Sequence, residues 1–267
     1  MNLDEVVSCY QLLMKEWNSK GPNYIEQCGQ LLNKLKIGLT HCAFLPTSGS
    51  ANKKELLVAR DILEIGAQWS CAARDIPSFE RYLAMLKTYY MDYKNDLPES
   101  SYRFQLLGLN LLCLLAQNRV AEFHTELELL PPKEIQANIH ISHPVAMEQF
   151  LMEGSYNKIF LSKDDVPAAS YTFFMDILLD TVRGEICSCA EKTYEKISAS
   201  EMARMLYFGS VKDAEAYLAK RGWVLQGGSY ILMDPKEKKG IPEGTFIPAD
   251  TFATKAIEYS REMEQIV

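Results

Sequence analysis

Residues 197–233 carry the pattern that decides the fold, and they read ISASEMARMLYFGSVKDAEAYLAKRGWVLQGGSYILM. Ser198 or Ser200 can begin a helix here, because a serine hydroxyl accepts a hydrogen bond from the first free backbone N–H groups of the helix that follows it. The apolar spacing then predicts one helix over 197–206 and a second over 210–221, with a glycine between them.

Two β-rich runs follow the second helix, and Gly227-Gly228 separates them. Short β-rich runs around a Gly-Gly pair predict a hairpin. Helix, turn, helix and hairpin in this order indicate a winged-helix module over residues 191–235. We expect its outer strand to present unpaired backbone groups that a neighbouring chain can extend, with Tyr230, Ile231 and Leu232 as candidate interface residues.

The preceding residues 1–190 form a succession of amphipathic patterns. Apolar residues at i, i+3, i+4 and i+7 predict a first helix from Leu3 to Trp17, and similar runs follow it. Residues 100–117 are apolar almost all round, which predicts a helix with neighbours on several sides. No strict repeat consensus is present, so the pattern favours a mainly α fold: an irregular helical-repeat solenoid of the TPR/HEAT-like kind that runs into the winged helix.

The end of the chain predicts one more helix. Residues 236–249 contain Pro and Gly and indicate a linker. Residues 250–267 then place apolar side chains at heptad-like spacings of four, three, four and three. Chain ends fray unless something holds them, so this helix either packs on its own domain or joins a bundle with other chains. Its candidate interface residues are Phe252, Ala256, Tyr259, Met263 and Ile266.

Composition excludes several classes of protein. The chain has 28 Lys plus Arg against 35 Asp plus Glu and a net charge of -7, so unselective binding to a phosphate backbone is not expected. The predicted winged helix is itself nearly neutral, with acids inside its second helix. Seven cysteines, an odd number, and the absence of an Asn-x-Ser/Thr acceptor favour a reducing, intracellular compartment. No apolar run is long enough to cross a membrane.

The usual catalytic and metal-binding motifs are missing. The sequence contains no phosphate-binding loop, no dinucleotide-binding glycine motif, no His-Glu-x-x-His and no Cys-x-x-Cys. Cys187 and Cys189 diverge on a helix, because two positions turn by about 200°. His140 and His143 provide at most two of the four ligands that zinc needs. We therefore predict no catalytic, cofactor-binding or metal-binding residues.

Two weaker possibilities for chemistry stay open. A Cys–His nucleophile pair can be assembled from residues far apart in sequence, although no local signature surrounds any of the cysteines. Glu126 with Glu128, and Asp164 with Asp165, can form carboxylate pairs, but neighbouring acids of this kind are usually a solvated face. A DNA-reading role for the second winged-helix element also stays open.

The order of these elements resembles that of PCI-domain proteins, which are scaffold subunits of three large assemblies. Contiguous blocks of sequence also closely resemble the PCI lid subunits of the proteasome's regulatory particle. These blocks are Ile76–Tyr82, Leu106–Leu112, Gln117–Leu127, Glu153–Lys158, Tyr171–Phe174, Leu178–Thr181 and Lys220–Leu225.

The resemblance implies a non-catalytic structural and assembly subunit that supports ubiquitin-dependent degradation in the cytoplasm and nucleus, with no nucleic-acid or membrane partner. Its winged helix would pack edge to edge with that of another PCI subunit. Its last helix would join a bundle of lid C-termini and couple lid completion to docking on the ATPase base. The alternatives are a PCI subunit of the signalosome or of translation initiation factor three, a nucleic-acid-binding winged helix, and a cysteine hydrolase.

Overall fold

The computed structural model describes residues 3–19, 21, 23–40, 53–94, 96–163, 165–194, 196–223, 225–226, 229–231 and 249–265. The chain divides into two compact units, Met1–Gly184 and Glu185–Val267. The domain boundaries expected from the sequence, 1–190, 191–235, 236–249 and 250–267, stay predictions. Most of the expected linker lies outside the described residues.

The first unit is built from helices, as the apolar periodicity predicted. The mainly α class is therefore confirmed, and neighbouring helices in the chain pack on one another. The helices are α1 Leu3–Ser19, α2 Tyr24–Thr40, α3 Lys53–Ala72, α4 Ile76–Met91, α5 Arg103–Ala116, α6 Val120–Glu128, α7 Pro132–Ala137, α8 Ile139–Met152, α9 Tyr156–Leu161 and α10 Tyr171–Thr193, the last of which continues into the second unit.

Helix α5 lies at the centre of the first unit. Every residue from Leu106 to Ala116 is buried, and α5 packs against α3, α4, α6 and α8. This confirms the interpretation of a helix that is apolar on all sides. A helix of this kind cannot be stable alone in water, because its whole surface needs covering by neighbours.

Helix α5 approaches α8 and α10 closely at Gly108. A Cβ atom at this position would lie 2.1 Å from the backbone oxygen of His140 in α8 and 2.3 Å from the hydroxyl of Tyr171 in α10. The Tyr171 hydroxyl lies 3.1 Å from the Gln105 backbone oxygen and 3.2 Å from that of His140, so its single proton can be donated to either carbonyl. Three helices meet here because position 108 has no side chain.

Helix α10 is held along the first unit by further contacts. The Phe174 ring lies 5.1 Å, centroid to centroid, from the ring of Phe79 in α4. The Thr181 hydroxyl donates to the backbone oxygen of Ala116, at 2.7 Å, where α5 ends. This satisfies one of the carbonyl groups that a helix C-terminus leaves without an intrahelical partner.

The second unit contains the winged helix. Its elements are β1 Lys196–Ser198, α11 Ala199–Met205, α12 Val211–Lys220, β2 Leu225–Gln226, β3 Ser229–Ile231 and α13 Ala249–Gln265. The two helices and the hairpin confirm the predicted module. Ser198 caps α11, since its hydroxyl oxygen accepts from the Glu201 N–H at 3.3 Å.

The prediction that the first helix of this module begins at Ile197 is wrong. Ile197 and Ser198 lie in β1, where they pair with Tyr230 and Ser229. The backbone of Ser198 is extended, and the chain changes from strand to helix at this residue. A β-branched, buried Ile197 suits the strand, and its partner lies more than thirty residues away, out of reach of any local pattern.

The position of the predicted outer strand is also wrong. The three strands are ordered β1-β3-β2, so β3, which contains Tyr230 and Ile231, is the central strand. It pairs antiparallel with β1 on one side and with β2 on the other. The backbone groups expected to be available to another chain are therefore used inside this sheet.

We predict that Gly108→Ala destabilises the first unit. The added methyl group forces α5 away from α8 and α10, and overpacking of this kind typically costs about 1–3 kcal/mol. Urea unfolding followed by circular dichroism measures the change. Gly21→Ala is the control, because no heavy atom lies within 4 Å of its Cβ position. Equal unfolding midpoints for the two variants would contradict the importance of this contact.

Candidate interaction surfaces

Of the interface residues predicted in the wing, Tyr230 is buried rather than a free surface group. The Tyr230 side chain is 2% exposed, and its ring packs edge-on against Trp223 at 5.8 Å between centroids. The backbone of Ile231 pairs with Lys196. Leu232 lies outside the described residues. A role for these three residues in binding another chain stays untested, and Tyr230 supports the module's own core.

Contacts within the second unit hold the chain where it enters the wing. Trp223 Nε1 donates to a carboxylate oxygen of Glu191 at 2.9 Å. Arg221 donates to the Ser188 hydroxyl at 2.8 Å and lies 3.5 Å from the Glu191 carboxylate. Since Ser188 and Glu191 belong to α10, these bonds tie the end of α12 to that helix and position β2.

Among the described strands, β1 and β2 each have one edge that does not pair with β3. Gln226 and Ser229 are partners separated by only two residues. In a hairpin with two residues between the paired positions, the residues of the closing pair, here Gln226 and Ser229, form two backbone hydrogen bonds with each other. The residues of the next pair, Leu225 and Tyr230, form none with each other. We therefore expect the N–H and C=O of Leu225 to point away from β3, toward the outer edge of the sheet.

The predicted site residues that are exposed and apolar lie on helix α13. All of its described residues, from Ala249 to Gln265, are exposed. Phe252 is 61% exposed, Tyr259 66% and Met263 51%. At about 100° per residue, these three and Ala256 fall within roughly 60° of one helix face. The fifth predicted residue, Ile266, lies outside the described part of the chain.

The heptad-like spacing does not include one further exposed apolar residue of α13. Ile257 is 57% exposed, but it lies roughly 140° around the helix from Phe252. A heptad pattern selects only positions on one face, so it passes over Ile257. Hydropathy alone, without periodicity, would have found it.

Charges on the winged helix are mixed. On α12 the exposed Lys212 is followed directly by the exposed Asp213. Arg221 is close to Glu191, as described above. A surface that binds DNA gathers its cations on one face, and this helix does not do so.

Buried thiols offer little nucleophilic character. Burial raises the pKa of Cys28 and Cys187, the latter to about 11, and raises those of Cys71 and Cys113 to about 12. A thiol must ionise to attack, so these four are inert near neutral pH. Within the described ranges, no group of three or more His, Cys, Asp or Glu residues is arranged to hold a metal ion.

Glu126, one member of the carboxylate pairs named above, is used in an ion pair. Glu126 accepts from the Lys87 ammonium at 2.6 Å, which links α6 to α4. Asp164 lies outside the described residues. These contacts favour the structural interpretation of the acidic residues.

Comparison with known proteins adds to this geometry. The protein-family model described as the CSN8/PSMD8/EIF3K family matches residues 102–241, which is more than half of the chain. This chain belongs to the CSN8/PSMD8/EIF3K family. The matched range begins just before α5 and includes the winged helix, so it contains both the central helix and the three-stranded sheet.

Full-length relatives within the CSN8/PSMD8/EIF3K family carry proteasome names. The chain is 40% identical to 26S proteasome non-ATPase regulatory subunit 8 homolog A of Arabidopsis thaliana, over 90% of each chain. It is 32% identical to the Caenorhabditis elegans 26S proteasome non-ATPase regulatory subunit 8, over 97% of this chain and 99% of the relative. It is 31% identical to 26S proteasome regulatory subunit rpn12 of Schizosaccharomyces pombe, over 100% and 99%.

The Schizosaccharomyces pombe relative is aligned with the whole of this chain, so the similarity includes α13, which the family match does not reach. The names of all three relatives describe regulatory subunits. Among the helices described, none combines the length and apolar character needed to span a membrane.

We predict an acid-dependent loss of stability through His143 in α8. Burial lowers the pKa of His143 below its ordinary 6.5, while the charge of Asp165 acts in the opposite direction. The folded state therefore binds this proton more weakly than the unfolded state, and the free energy of unfolding falls as pH drops below about 6.5.

Urea unfolding between pH 5 and pH 7.5 measures this effect. His143→Phe keeps an aromatic ring against Tyr171, whose ring lies 6.1 Å from that of His143, and should flatten the pH dependence. His124→Phe is the control, because the His124 side chain is 51% exposed. The same pH slope in wild type and His143→Phe would show that His143 makes no contribution.

Proposed function

We propose that this chain is a non-catalytic structural and assembly subunit of the lid of the 26S proteasome regulatory particle, and that it supports ubiquitin-dependent protein degradation. The observation that carries the proposal is its similarity, over almost its whole length, to proteasome regulatory subunits from a plant, a nematode and a yeast. Its neighbours are other PCI subunits of the lid, and it works in the cytoplasm and nucleus.

Helix α13 supports this assembly role. Helix α13 has a continuous apolar face but no buried residue among those described, so packing against its own chain stabilises it little. Burying an aromatic or Met side chain contributes about 1.5–3 kcal/mol. Three such residues on one face are enough to offset the ordering of a helix end in a bundle. In our proposal this bundle is formed by C-terminal helices of lid subunits, and it couples lid completion to docking on the ATPase base.

The winged helix supports a second contact, at a different place from that expected from the sequence. Since β3 is central, an edge-to-edge contact with another PCI subunit must use the outer edge of β1 or β2. The outward N–H and C=O expected at Leu225 suit such pairing.

A catalytic role has less support. The buried thiols are poor nucleophiles, and Glu122 and Glu126 of α6 are used in ion pairs. The relatives that match are named non-ATPase regulatory subunits. We therefore propose that the chain is not an enzyme.

A related scaffold is the second candidate. The description of the family names CSN8 and EIF3K beside PSMD8, which favours a PCI subunit of the signalosome or of initiation factor three as the alternative. Purification of the tagged chain from cytosol with mass spectrometry separates the two. Recovery of proteasome lid and base subunits supports the proposal, whereas recovery of another PCI assembly removes it.

We predict that the apolar face of α13 carries incorporation into the lid. Phe252→Ser together with Tyr259→Ser should reduce recovery of lid subunits at least tenfold, because each lost aromatic contact is worth more than the 1.4 kcal/mol that corresponds to one decade. The melting temperature of the isolated chain should hardly change, since both side chains are exposed. Deletion of residues 250–267 should behave in the same way.

Ile257→Ser is the matched control, because it also removes an exposed apolar side chain of α13, on a different face. It should leave recovery unchanged. Two results would contradict a role of the face formed by Phe252 and Tyr259 in assembly. One is a large fall in the melting temperature on deletion of residues 250–267, and the other is an equal loss of lid-subunit recovery for Ile257→Ser and the double variant.

We predict that the outer edge of β2 pairs with a neighbouring subunit. Leu225→Pro removes an N–H that we expect to point away from β3, so association should weaken while the isolated chain stays folded. Leu225→Ala is the control that shortens the side chain but keeps the N–H. Similar association of wild type, Leu225→Ala and Leu225→Pro would mean that this edge is not shared.

A further inference from the structure

A cavity of about 330 Å³ opens between α2, α3 and α4 of the first unit. This volume is at the lower end of the range that small-ligand sites occupy. Its walls are largely apolar and include Leu39 of α2, Leu63 of α3, and Tyr82 and Met85 of α4. All of its described lining residues belong to the first unit.

The inner wall of the cavity is fixed in place. Tyr82 is 3% exposed, and a Cβ atom at Gly66 would lie 2.5 Å from its ring. The ring thus rests directly on the α3 backbone, and both Leu39 and Leu63 are buried. Met85, in contrast, is 42% exposed. A rigid wall with one flexible thioether at its edge can accept apolar side chains of different shapes.

Two cations accompany this apolar space. Lys36 Nζ lies 4.6 Å above the centroid of the Tyr82 ring. Arg81 donates to the Pro77 backbone oxygen at 3.1 Å and to the Ser78 hydroxyl at 3.2 Å, which directs its guanidinium along this side of α4. Both residues line the cavity, and the described residues that line it include no acid.

Asp75, a carboxylate on which the charges of Arg81 and Lys36 act, already has a structural role. Asp75 caps α4 by accepting from the Ser78 N–H at 3.3 Å. This bonding to Ser78 and, less strongly, the charges of Arg81 and Lys36 hold the pKa of Asp75 below its ordinary value. The cavity is therefore locally basic, although the chain as a whole has a net charge of -7.

A second cavity, of about 290 Å³, between α1, α3 and residues 99–102 has a different character. Its polar groups already bond one another: Glu64 accepts from Tyr90 and Ser100, and Arg60 donates to Asp61 and to the Pro98 backbone oxygen. The Tyr90 bond links α3 to α4, the Ser100 and Pro98 bonds link α3 to the residues that follow α4, and together they leave Glu64 and Arg60 little bonding capacity for a ligand.

We propose that the cavity between α2, α3 and α4 binds a short acidic segment of another protein, with one apolar side chain inserted and flanking carboxylates paired with Lys36 and Arg81. The volume suits one or two apolar side chains, and the two cations select acids on either side of them. This site is separate from the assembly contacts proposed above and does not rest on them.

Selection from a display library of random nine-residue peptides tests the proposal. The full-length chain is the target, and the Lys36→Glu, Arg81→Glu double variant is used for counter-selection. Enriched peptides should place Leu, Ile, Phe or Met beside Asp or Glu. Fluorescence polarisation of labelled copies of the enriched peptides should then show binding to the Lys36→Glu, Arg81→Glu variant that is at least tenfold weaker than to wild type. The Lys36→Gln, Arg81→Gln variant, which removes the two charges without reversing them, should show the same loss.

Two further variants separate the cavity from general electrostatics. Thr40→Trp at the exposed rim should fill the cavity and weaken binding at least tenfold without altering either cation. Lys34→Glu is the control for net charge, because it lowers the charge by two units, as Lys36→Gln, Arg81→Gln does, but at an exposed residue of α2 outside the cavity. It should reduce binding less than threefold. The peptide with its apolar residue replaced by Ser should not bind.

Several outcomes would overturn the proposal. These are failure to enrich any peptide, enrichment of basic peptides, or equal binding to wild type and Thr40→Trp. Binding of dodecanoate that depends on Lys36 and Arg81, in the absence of any enriched peptide, would assign the cavity to a small amphipathic acid instead.

Discussion

The first unit depends on the close approach of three helices at Gly108. The Tyr171 hydroxyl lies within hydrogen-bonding distance of backbone oxygens from both α5 and α8, in a site with no room for a Cβ atom. A buried hydroxyl without a partner is costly, so this contact has a definite geometry as well as tight packing. It brings α10 against α5, and the Thr181 and Phe174 contacts then follow along the same helix.

The same dependence on distant partners governs the winged helix. A three-residue strand, β1, occupies one side of β3, and β2 occupies the other. The central strand therefore has no free backbone edge, and Tyr230 becomes part of the module's core beside Trp223. An edge-to-edge contact with another PCI subunit would therefore use β1 or β2 rather than β3. This changes which residues matter in an assembly, although the type of contact is the one that the resemblance implied.

The described residues form two candidate binding surfaces, the apolar face of α13 and the cavity between α2, α3 and α4, and the chemistry of the two differs. The α13 face is an exposed apolar stripe without a fixed wall, which suits a partner helix that supplies the other half of a bundle. The cavity between α2, α3 and α4 is already formed, has a rigid aromatic wall and carries two cations. It suits a short segment that brings little structure of its own.

Local signals in the sequence were enough for the helices, their approximate limits, the buried character of α5, a serine cap near the start of α11 and the apolar stripe along α13. These features depend on the spacing of apolar residues and on capping groups a few residues apart, so they can be read from short windows. Contiguous blocks of similarity also indicated the family correctly. Only the tertiary structure decided the strand order, the burial of Tyr230, the need for glycine at position 108 and the presence of a basic cavity. Each of these depends on groups brought together from distant parts of the chain, such as Ile197 with Tyr230 or Lys36 with Tyr82, and their proximity leaves no periodic trace in the sequence.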